Sequence, residues 1–432
     1  MKSRRVLMVA HEFYPSAAIG CHRSGKFCKY LPQYGWEPVV LTARQMIERT
    51  RFDPSLLRQL PAEMPIIRTF YPDEAEIKRW VGQVRSLLRR GRAGGNGTPR
   101  AAPAGARMGL SRWLSIPDWA IYWLPWAVGA GVSEARRADA IYATAPPHGS
   151  LVVAAVLARL TGRRLVLDLR DPWTLDQTLR YPTPRHRRLN ERLERWCFET
   201  ASVVICNTPA ATEAYRAAYG DLPGERFVTL PNGFDREDFP QQVEGRPRSE
   251  DERLHLAYVG SLHGGRDPGP LLRAARRCMD AGWGSYRVHF WSGTPEIVQA
   301  CVSQSGANDL VENHGPVPHR QALQAMLDSD VLLVFGASDT DALHVPGKLF
   351  EYVYCRRPIL ALVEPGAISR LIDDYHLGRW ARASDEELLV AHLRELHALA
   401  RGGRAWPVRA EAFTHFDRRL QAGQLAALLG GD

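Results

Sequence analysis

Apolar positions recur along this chain in two alternating patterns. Short, nearly continuous apolar runs occur at Val6–Ala10, Pro38–Thr42, Ala140–Thr144, Arg164–Leu169 and Val203–Asn207, and again at Leu254–Val259, Tyr286–Trp291, Val331–Phe335 and Pro358–Val363. Such runs, bounded by turn residues, predict strands covered on both faces, as in a parallel sheet. Between them the apolar positions take a helical spacing, at Arg23–Leu31, His148–Leu160, Arg185–Ala201, Asp267–Ala281, Arg320–Leu327, Pro346–Cys355 and Ala367–His376. Alternating strands and helices predict an α/β protein. Phe239–Arg253 interrupts the series with Pro, Gln, Glu and Arg and no apolar stripe, so it reads as a linker. Two βαβ series around one linker predict two doubly wound, Rossmann-like domains facing a cleft, over residues 1–238 and 254–409. A terminal helix is expected within 410–432, carried by Ala410–Leu429.

Composition bounds the function classes. A length of 432 residues fits two domains. With 45% hydrophobic and 24% charged residues, global disorder is excluded. The longest nearly apolar run, Trp119–Val132, contains Pro125 and is too short to span a bilayer. No secretory apolar region follows Arg4 and Arg5. Seven cysteines, an odd number with no Cys-x-x-Cys pair, suggest neither a disulfide framework nor a cysteine zinc site, and the expected compartment is the cytoplasm.

Charge is unevenly placed. The formal net charge is +9, from 56 basic and 47 acidic residues. Nine of the basic residues lie between Lys78 and Arg112 with no acid among them, so the remainder is neutral. That argues against a nucleic-acid-binding face. Within the stretch, Lys78–Arg90 sets Trp80, Val81, Val84, Leu87 and Leu88 on one helical side with basic residues flanking. An interfacial helix on anionic lipid has this pattern, placing the protein peripherally at the inner membrane face. An amphipathic helix packed on its own domain fits the same pattern. Gly91–Met108, rich in Gly, Ala, Pro and Arg, is expected to be a mobile loop. Lysine is rare: five against 51 arginines, and after Lys78 only Lys348.

Four segments carry candidate chemistry. Pro346-Gly347-Lys348-Leu349-Phe350-Glu351 predicts a helix opening on proline, whose N-terminal N–H groups and dipole favour an anion. Lys348 and Glu351 share a face at i, i+3. A cation and a carboxylate there suit a sugar nucleotide, the one for the diphosphate and the other for a ribose diol; an ordinary surface Lys–Glu pair fits the spacing too. Gly260-Ser261-Leu262-His263-Gly264-Gly265-Arg266 follows a predicted strand, where glycines admit a ligand to the backbone and Arg266 offers a fork to phosphate; a plain βα turn has the same composition. The first βα loop, His11–Ser24, brings Gly20 and Arg23 before the first helix. It lacks Gly-x-Gly-x-x-Gly, so a dinucleotide site is poorly supported. Finally, Ala145–Ser150 and Asp168–Trp173 lie at carboxyl ends of predicted parallel strands, where ligands bind in such sheets. They supply His148, Arg170 and Asp171 as candidate sugar or acceptor contacts, with Asp168 read as structural.

Together these segments, with Leu31–Thr42 and Pro231-Asn232-Gly233-Phe234-Asp235, resemble a GT-B glycosyltransferase of the family 4 type over nearly the whole chain. The resemblance implies a C-terminal domain that holds a nucleotide-sugar donor, a terminal helix crossing back to the N-terminal domain, and retention of anomeric configuration without a metal. It also implies that Arg266 and Lys348 contact the diphosphate and Glu351 the ribose, with Gly260, Ser261 and Leu349 in the donor site. Gly20 would admit the diphosphate from the other domain, and His148 would stand near the transferred sugar. Arg23, Arg170 and Asp171 are expected at the acceptor or sugar. No cofactor is expected beyond the donor substrate, and the acceptor would be a hydroxyl, free or lipid-linked. Leu343 stands where many members carry a second glutamate, with Asp339 and Asp341 nearby, and Ser261 where an arginine is usual. Two alternatives therefore stay open: a non-catalytic GT-B binding or activator subunit, and a GT-B coupling enzyme forming a non-glycosidic bond.

Overall fold

A computed structural model describes residues 3–44, 52–72, 115–240, 252–262, 265–337 and 342–431. The basic stretch 78–112, most of the expected linker, His263, Gly264, Asp339 and Asp341 lie outside them.

The chain forms two compact units. The first comprises Met1–Cys206, Tyr219–Val228 and Ala422–Asp432, and the second comprises Asn207–Ala218 and Thr229–Gln421. In the first, β1 (Arg4–Val9), β2 (Trp36–Ala43), β3 (Ile66–Thr69), β4 (Ala140–Ala145), β5 (Arg164–Leu169), β6 (Val203–Cys206) and β7 (Phe227–Thr229) form one sheet in the order β3-β2-β1-β4-β5-β6-β7. In the second, β8 (Leu254–Val259), β9 (Tyr286–Trp291), β10 (Val311–Asn313), β11 (Val331–Phe335), β12 (Ile359–Leu362) and β13 (Gly378–Ala381) take the order β10-β9-β8-β11-β12-β13. The pairings β1–β2, β1–β4, β4–β5, β8–β9, β8–β11 and β11–β12 all run parallel. Strand order reverses direction between β1 and β4 in one sheet, and between β8 and β11 in the other. Loops leaving the carboxyl ends of strands at such a point form a ligand crevice.

The apolar runs became strands because each can be buried on both faces. Every residue of β4 is buried, as are Val6–Val9 of β1. Each fully buried Val or Leu contributes about 1.5–3 kcal/mol relative to exposure. The Trp119–Val132 run splits into a 3-10 turn, Trp119–Trp123, and a helix, Leu124–Arg137. On that helix Gly131 allows close approach, since a Cβ there would stand 2.7 Å from Leu41 Cδ2. No helix among the described residues is long and apolar enough to cross a membrane.

Three features differ from expectation. The first helix spans Ile19–Tyr30, so Gly20 and Arg23 lie inside it rather than in a preceding loop. Its cap, Ala18, makes no side-chain cap bond, so the sequence carries no start signal there. The terminal segment is two helices, Glu411–His415 and Arg418–Gly430. Between them the backbone pairs with Phe234: Phe416 O accepts from Phe234 N at 2.9 Å, and Arg418 N donates to Phe234 O at 2.9 Å. Those bonds replace helical ones. The short outer strands β3, β7, β10 and β13 were not expected.

Candidate active site

In the second unit, the end of β8 meets the start of helix Lys348–Cys355. One hydroxyl ties them together, and a second braces the turn that leaves β8. Tyr352 OH accepts from Val259 N at 3.2 Å, and Tyr258 OH donates to Ser261 O at 3.0 Å. Gly260 follows β8 with φ +132, and its N–H donates to Trp291 O at 2.9 Å. A side chain there would be strained, and its Cβ would stand 3.1 Å from Lys348 Nζ. The ammonium of Lys348 lies 3.5 Å from the centre of the Tyr258 ring, a cation–π contact. Burial first, and then the charge of Arg266, hold Lys348 well below the usual lysine range, with Glu351 acting the other way. A desolvated cation within the field of a second is thus set where a dianion would relieve both.

Not every expected donor residue points to a ligand. Leu349 is fully buried in the core, and its N–H donates to Pro346 O at 3.0 Å, so neither group faces outward. The helix begins two residues after Pro346, with Gly347 as cap. Glu351 Oε1 is engaged by His319 Nε2 at 2.9 Å. The carbonyl of Leu343 accepts from Thr208 Oγ1 at 2.9 Å.

In the first unit, residues after β1, β4 and β5 converge at the reversal point. Gly20 leaves room for the Arg170 guanidinium: a Cβ there would fall 1.8 Å from Arg170 Nη1, so the arginine would have to move. The Arg170 guanidinium is held by the carbonyls of Ala145 and Pro146. Asp171 follows it, half-buried. His148 is buried, stacked on Trp173 at 4.8 Å, and begins helix Gly149–Thr161. Its Nδ1 lies 3.6 Å from Asp118 Oδ2, and its Nε2 has no hydrogen-bond partner among the described residues. Asp118 also accepts from the N–H groups of His148 and Gly149. It both caps the helix and faces the imidazole. Sequence reasoning missed Asp118, because 30 residues separate it from His148 and nothing local marks it.

Arg23 corrects an expectation. It is 1% exposed and forms a fork with Asp168, Nε to Oδ2 at 2.6 Å and Nη2 to Oδ1 at 3.0 Å. Tyr142 OH donates to the same carboxylate. The guanidinium is therefore committed to the core beneath the loops, not to a sugar or acceptor. A second unexpected residue is His11, 3% exposed. Its ring sits edge-on to Tyr71, Trp119 and Trp123 at 4.6–5.2 Å, and neither ring nitrogen has a hydrogen-bond partner among the described residues.

Residues 23–233 match the family model of the glycosyl transferase 4-like domain. Solved structures share the fold over nearly the full length. Anabaena HepE in complex with UDP and glucose is 16% identical, with 99% of this chain and 100% of that one covered and a TM-score of 0.62. Sucrose-phosphate synthase from Thermosynechococcus elongatus is 16% identical, with 99% of each chain covered and a TM-score of 0.65. WaaG, a glycosyltransferase involved in lipopolysaccharide biosynthesis, is 13% identical, with 99% and 100% covered and a TM-score of 0.56. No curated protein sequence matches the chain. Over residues 23–233 the chain is thus similar to the glycosyl transferase 4-like domain, and it shares the two-sheet GT-B fold of these solved structures.

Proposed function

We propose that this protein transfers a sugar from a nucleotide-sugar donor to a hydroxyl acceptor, with retention of configuration and without a catalytic metal. The observation that carries the proposal is Lys348, seated on Tyr258 beside Gly260 and within the field of Arg266. HepE, solved with UDP-glucose, supports a uridine diphosphate sugar as donor. As the bond between the sugar and the diphosphate breaks, negative charge grows on the leaving oxygens. Lys348 and Arg266 would stabilise that charge, and stabilisation of this kind commonly contributes more to catalysis than any other effect. These cations take the part a metal plays at other diphosphate sites, and the departing phosphate would accept the proton of the acceptor hydroxyl. His148, whose Nε2 is unpartnered among the described residues, would border the transferred sugar.

The charge concentrated in 78–112 supports an acceptor at a membrane surface, such as a lipid-linked or polysaccharide precursor on the cytoplasmic face. A non-catalytic donor-binding subunit is the second reading, favoured by Ser261, by Leu343 and by the engagement of Glu351 with His319. Donor hydrolysis by the purified chain separates the two, since only an enzyme turns over. Lys348→Ala is expected to lower kcat/KM by about 10² or more. Turnover near that of the native protein would overturn the role given to Lys348.

A further inference from the structure

The second sheet carries a cluster of imidazoles that the transfer chemistry leaves unused. Register explains why it forms. In the parallel pairing of β9 and β10, His289 stands opposite Glu312. Alternation places Glu312 and the following His314 on the same face. The next strand, β8, adds His255 on that face, diagonal to His289 through the Ala257↔His289 pairing. Three ligand atoms converge. His289 Nδ1 lies 3.1 Å from His314 Nε2 and 3.3 Å from Glu312 Oε2, and His314 Nε2 lies 3.8 Å from the same oxygen.

These separations suit a cation. Zinc bonds to histidine nitrogen and carboxylate oxygen measure about 2.0–2.2 Å, so tetrahedral ligand atoms stand about 3.3–3.6 Å apart. The surroundings match what ligands of such an ion require. His255 Nδ1 lies 2.9 Å from His289 Nε2, so a metal on Nδ1 leaves Nε2–H to donate to His255. The backbone of His255 is held in turn, its main-chain N–H donating to Asp330 Oδ2 at 2.9 Å. The other oxygen of Glu312, Oε1, faces Arg287 Nε at 3.5 Å, which turns Oε2 toward the histidines. Two imidazoles and a carboxylate, with no thiolate, favour Zn²⁺ or Co²⁺ over Ca²⁺ or Mg²⁺. His314 and Glu312 are exposed, which gives the ion a path in.

We infer that His289, Glu312 and His314 form a divalent transition-metal site that clamps the edge strand β10 to β9, with His255 as its positioning residue. This inference does not rest on the proposed sugar transfer. The test uses the full-length protein stripped with a chelator, titrated with Zn²⁺ by calorimetry and with Co²⁺ by visible absorption. One equivalent of each ion is expected, with the absorption of a tetrahedral cobalt centre and a melting temperature raised by Zn²⁺. Glu312→Gln and His314→Ala alter surface side chains, and their melting without metal checks that they fold. Each should weaken Zn²⁺ binding more than about tenfold and abolish the thermal shift, and His255→Ala should weaken it by about 10–100-fold. Binding well below one equivalent, or a loss smaller than about tenfold in either ligand variant, would overturn the assignment.

Discussion

His11 and Arg23 show how burial sets the chemistry of single residues. Arg23 keeps its charge in the core because a fork to Asp168 replaces its water, and removing one partner of such a pair costs about 3–5 kcal/mol. His11 has no such partner among the described residues. Burial among Tyr71, Trp119 and Trp123 lowers its pKa to about 4, with Asp118 opposing the shift. A histidine whose folded pKa is depressed favours folding fully above pH 6.5, and that contribution is lost as pH falls from 6.5 towards 4, where the unfolded chain binds the extra proton. The loss is on the order of 3 kcal/mol. Urea unfolding measured across that window should show stability falling with acid. His11→Phe, which keeps the aromatic packing, should flatten the part due to His11; an unchanged slope would remove the imidazole from the account. A sequence shows that His11 follows a strand and that Arg23 lies near the first helix. It does not show that one ring meets three aromatics from distant segments while the other side chain meets Asp168.

At the scale of elements, strand pairing imposes demands that no local pattern announces. Gly378 opens β13 opposite Ile359 on β12, and a Cβ there would fall 1.9 Å from Ile359 O. The obstacle is backbone, so it cannot swing aside. Gly378→Ala should cost at least about 1–3 kcal/mol, as overpacking does, read as a lower urea midpoint with an unchanged slope. A midpoint equal to that of the native protein would show that β13 can shift. Central strands such as β4, β5, β8 and β11 were legible because both their faces are buried and their sequences are nearly continuous apolar runs. Edge strands such as β10, with the sequence Val-Glu-Asn, are short and half exposed, so alternation has no room to show. The break at Phe416–Asp417 escaped for another reason: the bonds that interrupt the helix come from Phe234, far away in sequence.

Across the whole molecule, the net charge resolves into a neutral body and one basic stretch outside the described residues. If that stretch meets anionic lipid, each basic side chain adds about 1 kcal/mol. Replacing Arg85, Arg89, Arg90 and Arg92 by Gln should then weaken binding to vesicles of anionic phospholipid by about 10²–10³-fold, while leaving donor affinity unchanged. Co-sedimentation and donor titration read the two separately, and undiminished vesicle binding would refute the membrane role. The sequence by itself determined the α/β class, the two series of strands, the central strands and the rare lysine of the candidate donor site. All of these rest on local composition and on periodicities that a single segment carries. Only the tertiary structure decided that Arg23 belongs to the core, that Asp118 faces His148, that Lys348 lies on Tyr258, and that His289, Glu312 and His314 converge. Each joins residues from different elements, and their meeting depends on sheet order and register, which follow from the packing of all strands together.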